Sequence, residues 1–415
     1  MKKILASLLG SATEWYDYTL YSCLINIIGK LFFPNAANDP YLSNIMAFGV
    51  FASGFLVRPF GGFLFGYIAD RYSRKSAMKI AILIVSLPTV LIGLLPTYQT
   101  VGIIAPILLT LMRLLQGISL GGEFASTTSY LYETTEKNGK RCFMLSYSLL
   151  GLAIGIFLGF STSLILETTL TSDQIMSYGW RIPFLCAFLI GLFGFYLRNK
   201  LEDVKIDEKA AKKLYKKNHS VFGDIFINFK TNLFVGIATY INLTVTFYTV
   251  CVFLKTAMIT TLNYPVNIAT KFSMIVNFSY MISIMFIGYC NDIFGPRKMA
   301  IFSSITVATL IYPLIRLIEL QQHSMLCFIA LGLLVSLSQG SVPIILASLF
   351  PKEVRSSGIA YSQNIPVLLG GCMPVICSFL IKNTGSLVSI SFCIILSSIC
   401  ALIGALFYTK KRIFD

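Results

Sequence analysis

The sequence predicts an all-α polytopic membrane protein: twelve transmembrane helices arranged as two pseudo-symmetric six-helix bundles. Three observations lead to it. Of the 415 residues 56% are hydrophobic and 12% charged, with a mean hydropathy of +0.76, whereas soluble domains carry about 25% charged residues. The apolar residues gather in long runs, and a helix needs about 20 of them to cross a bilayer. The third observation is a duplication. GYIADRYSRK, from Gly66 to Lys75, returns as GYCNDIFGPRK, from Gly288 to Lys298. Asp70 then matches Asp292, Arg74 matches Arg297 and Gln116-Gly117 matches Gln339-Gly340 at a near-constant offset, the internal symmetry of a repeated membrane unit.

Composition also excludes several classes. The net charge of +15 comes from Lys and Arg in short loops and at span ends, which leaves no continuous basic face for nucleic acid. Orientation in a membrane explains it instead. Most basic residues lie on the side that holds the N-terminus, the two repeated loops, the mid-chain connector and the Lys410-Lys411-Arg412 tail, so both termini are expected in the cytoplasm. The 10 cysteines are scattered through apolar runs with no C-x-x-C pair, and the 2 histidines are far apart, so no metal framework is expected. Nucleotide, dinucleotide and zinc-protease motifs are absent. The chain reads as a non-enzyme without a cofactor.

Taken in order, Met1-Lys2-Lys3 and the apolar run after it resemble a signal peptide, but the apolar character continues to Ile28. One span from Leu5 to Ile28 with a cytoplasmic start fits better. Within it Glu14, Asp17, Tyr18 and Tyr21 fall at i, i+3, i+4 and i+7 and share a helix face beside Trp15 and Tyr16. A carboxylate inside a bilayer costs a few kcal/mol or more, so it faces a polar cavity or a partner of opposite sign. Asp17 is deep enough to require this; Glu14 either joins it or solvates the helix end. The second span, Leu42 to Ala69, holds Arg58, which is either a ligand for an anion or a donor to carbonyls near Pro59. Gly54, Gly61, Gly62 and Gly66 give it a close-packing surface.

Spans three and four run from Ala77 to Leu95 and from Gly102 to Tyr132. Arg113, Gln116, Gly117 and Gly121 form a stripe on the fourth, with Glu123 to its side. Arg113 needs a counter-charge, and Asp17 is the candidate. In span five Gly151, Gly155 and Gly159 form a contact stripe. Span six, Trp180 to Tyr196, leads into the charged stretch RNKLEDVKIDEKAAKKLYKKNH, a solvated connector. The expected division is a bundle over 1–199, a cytoplasmic linker over 200–227 and a bundle over 228–415. The second half repeats the plan with spans at Leu233–Phe253, Ile268–Tyr289, Met299–Ile318, Met325–Leu349, Ile359–Ile381 and Val388–Tyr408. Asn242, Asn277, Gln339, Gln363 and Asn364 offer it polar groups, but the Asp17 and Arg113 pair has no counterpart there.

The G-x-x-x-D-R-x-x-R-K loop resembles the signature of the major facilitator superfamily. GSATEWYDYTLY, VRPFGGFLFGYIADRYSRK and RLLQGISLGGEFASTTSYLYE resemble its metabolite:proton symporter branch, which includes proline/betaine, α-ketoglutarate, citrate and shikimate transporters. The resemblance covers essentially the whole chain. It implies two bundles rocking about a central site, a bacterial inner membrane location, and proton coupling by Asp17 and Arg113, with Glu14 beside them. Arg58 matches the arginine of an R-P-x-G-G motif and Glu123 the acid of a G-G-E motif. Gating would fall to Gly66, Asp70, Arg71, Arg74 and Lys75 and to Gly288, Asp292 and Arg297. The second loop has Ile293 and Gly295 where the first has Arg71 and Ser73, so a weaker gate is expected there.

For the substrate, Trp15, Tyr18 and Tyr21 are candidates for an aromatic cage around a quaternary ammonium, worth about 0.5–2 kcal/mol. Arg58 and Arg113 are candidates for a carboxylate clamp. Gln116, Glu123, Gln339 and Gln363 complete the expected substrate-binding set. A zwitterion such as proline or betaine is favoured; a dicarboxylate or other organic acid, or export on the same fold, is the alternative. One proton entering through 100 mV supplies about 2.3 kcal/mol, so protons suffice as the energy source. The expected partners are a small-molecule substrate, protons and membrane lipid, with the chain a monomer.

Overall fold

The computed structural model describes residues 2–34, 40–135, 140–202, 221–322 and 324–408. Most of the expected linker, most of the loop after Thr135 and the Lys410-Lys411-Arg412 tail lie outside them. The described residues are helical and contain no strand. In the first half the helices are α1 (Lys2–Cys23), α2 (Ile25–Phe32), α3 (Pro40–Arg71), α4 (Arg74–Leu94), α5 (Ile104–Thr134), α6 (Arg141–Thr169) and α7 (Arg181–Asn199). The second half contributes α8 (Lys230–Phe247), α9 (Val266–Phe294), α10 (Pro296–Glu319), α11 (Ser324–Gly340), α12 (Val342–Leu349), α13 (Arg355–Thr384) and α14 (Ser389–Phe407).

Among the described residues 11 helices are long and apolar enough to cross a membrane, against the twelve spans expected. The helix that falls short is α1, which carries Glu14, Asp17 and several hydroxyl groups. It tolerates them because Ser11, Thr13, Glu14, Asp17 and Thr19 are all buried: protein, not lipid, surrounds them. The apolar surface lies on the outside instead. Leu56, Phe60, Leu189 and Val375 are each more than two-thirds exposed, the pattern of a molecule whose solvent is hydrocarbon.

The breaks between helices follow from local chemistry. Ser73 caps α4, its hydroxyl accepting from the Ser76 amide at 3.3 Å, which supplies one of the acceptors a helix start lacks. At the repeated position Gly295 takes φ +85° and Pro296 opens α10, so glycine stops one helix and proline starts the next. Arg181 donates to the carbonyls of Gly93 and Leu95 at 2.9 and 2.8 Å, closing the end of α4. Glu319 accepts from the Leu387 amide at 2.6 Å and from the Ser386 hydroxyl at 2.7 Å, tying α10 to the start of α14. A wide π-type turn over Tyr248–Phe253 interrupts the span that α8 begins.

The chain divides into two compact units. One comprises Met1–Thr127 with Gly151–Asp203, the other Thr128–Leu150 with Val204–Asp415. The tip of α5 and the start of α6 thus pack with the second half of the sequence. The first unit's core joins Tyr16, Leu20, Ile28, Phe32, Trp180 and Phe184, with Trp180 edge-on to Phe32 at 5.8 Å. Along α1 the expected glycine stripe does its packing: a methyl group on Gly151 or Gly155 would overlap the carbonyl of Leu8 or Ala12.

Candidate functional site

Small residues bring three helices of the first unit together. A Cβ on Gly117 would overlap the Gly54 carbonyl, and one on Gly121 the Arg58 carbonyl, so α5 lies against the backbone of α3. Arg113 projects from α5 to α1, where its Nη1 donates to Asp17 Oδ2 at 2.6 Å. The two side chains are 1% and 0% exposed. The guanidinium lies 3.9 Å from the Tyr21 ring centroid and 5.9 Å from that of Tyr18. Tyr21 is held by its own hydroxyl, which donates to the Ala47 carbonyl at 3.1 Å, and it stacks on Phe51 at 5.8 Å. Two of the three rings expected to surround a foreign cation, Tyr18 and Tyr21, thus lie against the protein's own.

This ion pair is incompletely bonded. Asp17 Oδ1 and Arg113 Nε and Nη2 are buried without a hydrogen-bond partner. A buried polar group left unmade costs about 1–3 kcal/mol, so the pair is held in a state that a rearrangement can improve. A second buried pair in the same unit is its opposite. Arg198 grips both oxygens of Glu123, Nη1 to Oε2 at 2.9 Å and Nη2 to Oε1. Nη1 also reaches the Met78 carbonyl, and Thr127 donates to Glu123 Oε1 at 3.1 Å. Two-point pairs of this kind are the strongest and most rigid of their type.

Sequence reasoning missed Arg198 by placing it at the head of the solvated connector. It is fully buried in the last turn of α7. A signal was present, because Ala187, Gly191, Gly194 and Arg198 recur every three or four residues on the buried face. Gly10 seats this pair against α1, since a Cβ there would collide with the Arg198 guanidinium. Phe51 and Phe55 were also missed; they close the aromatic group around Tyr18 at 5.1 and 5.4 Å.

Glu14 lies on the same face of α1 as Asp17 and is 4% exposed, so it is not at a solvated helix end. Among the described residues its carboxylate accepts no hydrogen bond and sits in no ion pair, while the charges of Arg58, Glu123 and Arg198 act on it. Arg58 is buried and donates to the Leu120 carbonyl of α5 at 3.4 Å, with the Phe55 ring 5.8 Å from its guanidinium. Trp15 lies 6.0 Å from Tyr18. Gln116 donates to the Thr89 hydroxyl of α4 at 2.7 Å, and its Oε1 is buried without a hydrogen bond.

In the second unit Gln339 accepts from the Tyr280 hydroxyl at 2.8 Å, and its Nε2 is buried without a hydrogen bond. Gln363 is buried on α13. The repeated loop is built into helix ends. Asp292 accepts from the amides of Cys142 and Phe143 at 2.8 and 2.9 Å, capping α6 where the helix dipole favours an anion. Arg297 donates to the Leu406 carbonyl at 2.9 Å at the end of α14, where a cation is favoured. Gly288 faces Ser146, with no room for a side chain. Asp292, in the loop expected to gate more weakly, thus makes a two-point helix cap. Arg355 joins Glu133 at 2.8 Å, a pair the sequence did not suggest.

Asp70 and Arg74 are paired at 2.5 Å and fully buried, one helical turn apart across the Ser73 cap. Arg71 is exposed and rests over the Tyr67 ring at 5.5 Å; Lys75 is half-buried and Gly66 buried.

An all-α membrane fold with an acid–arginine pair in its interior and charged loops docked on helix ends defines a membrane carrier. The chain belongs to the sugar (and other) transporter family, whose pattern matches residues 3–412. It is 31% identical to the glycine betaine/proline/ectoine/pipecolic acid transporter OusA of Dickeya dadantii, over 98% of this chain and 82% of that one. Identity to the proline/betaine transporter of Salmonella typhimurium is also 31%, over 97% and 82%. The inner membrane metabolite transport protein YhjE of Escherichia coli is 32% identical over 92% and 88%. Among solved structures, the major facilitator superfamily proton:xylose symporter XylE bound to 6-bromo-6-deoxy-D-glucose superposes with a TM-score of 0.80 at 17% identity, covering 98% of this chain and 94% of that one. A likeness this strong in shape and weak in sequence shows the fold, that of the major facilitator superfamily.

Proposed function

We propose that this chain carries a small zwitterion of the proline or betaine type into the cell together with a proton, by alternating access. The observation that supports it most is the single-bonded, buried Asp17–Arg113 pair. Burial disfavours a carboxylate's charge and a neighbouring guanidinium favours it, so a movement that separates such a pair exchanges a proton. Asp17 takes the proton; Arg113 is released from it and offers its donors elsewhere. The fully gripped Glu123–Arg198 pair does not part, and braces α1, α5 and α7 through the cycle.

Proline and betaines are the solutes for which the relatives are named, and they match a site rich in guanidinium and aromatic groups. Arg58, Trp15, Tyr18, Tyr21, Gln116, Gln339 and Gln363 are the side chains assigned to the solute. The two repeated loops act as the cytoplasmic gate, with Asp292 holding the start of α6 and Asp70 and Arg74 holding the turn between α3 and α4. The carrier works as a monomer in a bacterial inner membrane with both termini in the cytoplasm.

Purified protein in proteoliposomes tests this reading. With an inward pH gradient, labelled proline or glycine betaine accumulates above its outside concentration, and a protonophore abolishes the accumulation. Uptake that only equilibrates, or accumulation of a dicarboxylate and neither zwitterion, contradicts it.

A further inference from the structure

Glu14 has no task in the coupling step described above, yet it is a carboxylate placed 4% exposed inside a bilayer-spanning bundle. We propose that Glu14 is the counter-charge for the cationic end of the substrate, while the spare donors of Arg113 take its carboxylate, so that Glu14 selects zwitterions over simple and dicarboxylic acids. This rests on the reading of the chain as a zwitterion symporter.

The geometry of α1 sets the spacing. Glu14 and Asp17 lie three residues apart on one helix face, about 4.5 Å along the axis. An α-zwitterion, with one carbon between its charges, spans a comparable length. Arg113 has Nε and Nη2 buried and unbonded beside Asp17, donors that a carboxylate accepts in two-point fashion. When Asp17 is protonated, the carboxylate of the substrate replaces that of Asp17 at Arg113. The substrate's positive end then lies one turn along α1, at Glu14, whose carboxylate accepts no hydrogen bond from a donor among the described residues.

Charge bookkeeping agrees. Glu14, Asp17, Asp70 and Glu123 are buried in this unit with Arg58, Arg74, Arg113 and Arg198, four acids against four bases. A zwitterion and a proton leave the loaded unit at one positive charge, the charge moved by one proton. A dicarboxylate would place its second anion against Glu14, and like charges brought together in a desolvated site repel by several kcal/mol. Of the charged side chains around Glu14, Arg58 on α3 acts on it most strongly, ahead of Glu123 and Arg198.

The test compares glycine betaine with 3,3-dimethylbutanoate, its carbon isostere, which keeps shape and carboxylate but lacks the positive charge. Inhibition constants are measured against labelled proline counterflow in proteoliposomes. The unmutated protein is expected to prefer betaine by at least tenfold, Glu14→Asp to retain that preference, and Glu14→Gln to lose it through weaker betaine binding with the isostere unchanged. Equal affinity for the two compounds in the unmutated protein overturns the proposal without need of any variant. An undiminished preference in Glu14→Gln overturns it while leaving proton-coupled zwitterion uptake standing. If neither proline nor betaine is carried at all, the reading of the substrate falls and this assignment falls with it.

Discussion

Arg113 reaches Asp17 through one nitrogen, Nη1 to Oδ2 at 2.6 Å, and leaves Nε, Nη2 and the second carboxylate oxygen without hydrogen bonds in a fully buried setting. Thirty-one residues of α5 carry both this pair and the Glu123–Arg198 pair, yet only the latter is bonded at both oxygens. One helix therefore holds a fixed joint and a movable one. The following expectations separate the two roles.

The fixed joint should matter for stability. Glu123→Gln leaves Arg198 charged and poorly paired in the bundle, and breaking a buried pair costs about 3–5 kcal/mol. The thermal midpoint in detergent is expected to fall by several degrees, and the apolar double variant Glu123→Leu with Arg198→Met to regain most of the loss. Transport-competent Glu123→Gln protein with an unchanged midpoint would contradict the bracing role.

Gly117 should tolerate no side chain. Its Cβ position overlaps the Gly54 carbonyl of α3, and a clash with backbone cannot be relieved by a rotamer change. Gly117→Val is expected to cost about 1–3 kcal/mol and to lower the yield of folded protein, as judged by size-exclusion profile. Gly102, whose Cβ position is open but whose φ is +61°, provides the contrasting case of a loop glycine, where valine strains only a turn.

Asp292 should control access to Cys142. The carboxylate caps α6 at the Cys142 and Phe143 amides, and Cys142 is 6% exposed. Losing a helix cap costs about 0.5–2 kcal/mol, so Asp292→Ala is expected to raise the rate of maleimide labelling at Cys142 by roughly 2- to 30-fold on a background lacking the other cysteines. An unchanged rate would remove the loop from control of this helix end.

Topology is open to the same chemistry. Tyr72, two-thirds exposed between α3 and α4, and Gln321, just beyond α10, are expected on opposite sides of the membrane. A cysteine at 72 should react only from the cytoplasmic side and one at 321 only from outside; labelling of position 72 in intact cells by an impermeant reagent would invert the assignment.

The fold was legible in the sequence because membrane helices declare themselves through length and apolarity, and the duplicated loops fixed their grouping. Even α1, less apolar than the others because it carries Glu14 and Asp17, read as a span because its apolar character continues to Ile28, and burial in protein lets it hold the two acids. Asp17 and Arg113 could be paired from sequence because a lone charge in hydrocarbon needs a partner. Glu123 could not be paired, since Arg198 stands at the edge of a charged connector where composition reads as solvated. Nor could the sequence tell that Tyr21 lies under Arg113, because aromatic spacing along a helix is the same for packing, for a ligand cage and for an internal cation–π contact.

The central claim is that Asp17 carries the coupled proton at the movable joint, and proton and solute fluxes measured together in proteoliposomes containing Asp17→Asn test it most directly. A side chain that cannot be deprotonated supports exchange of labelled for unlabelled solute, which needs no net proton movement, but cannot link solute to a pH gradient. Counterflow near that of the unmutated protein, with no gradient-driven accumulation and no solute-dependent proton uptake, is the predicted result. Accumulation and proton uptake that survive the substitution would place the coupling proton elsewhere.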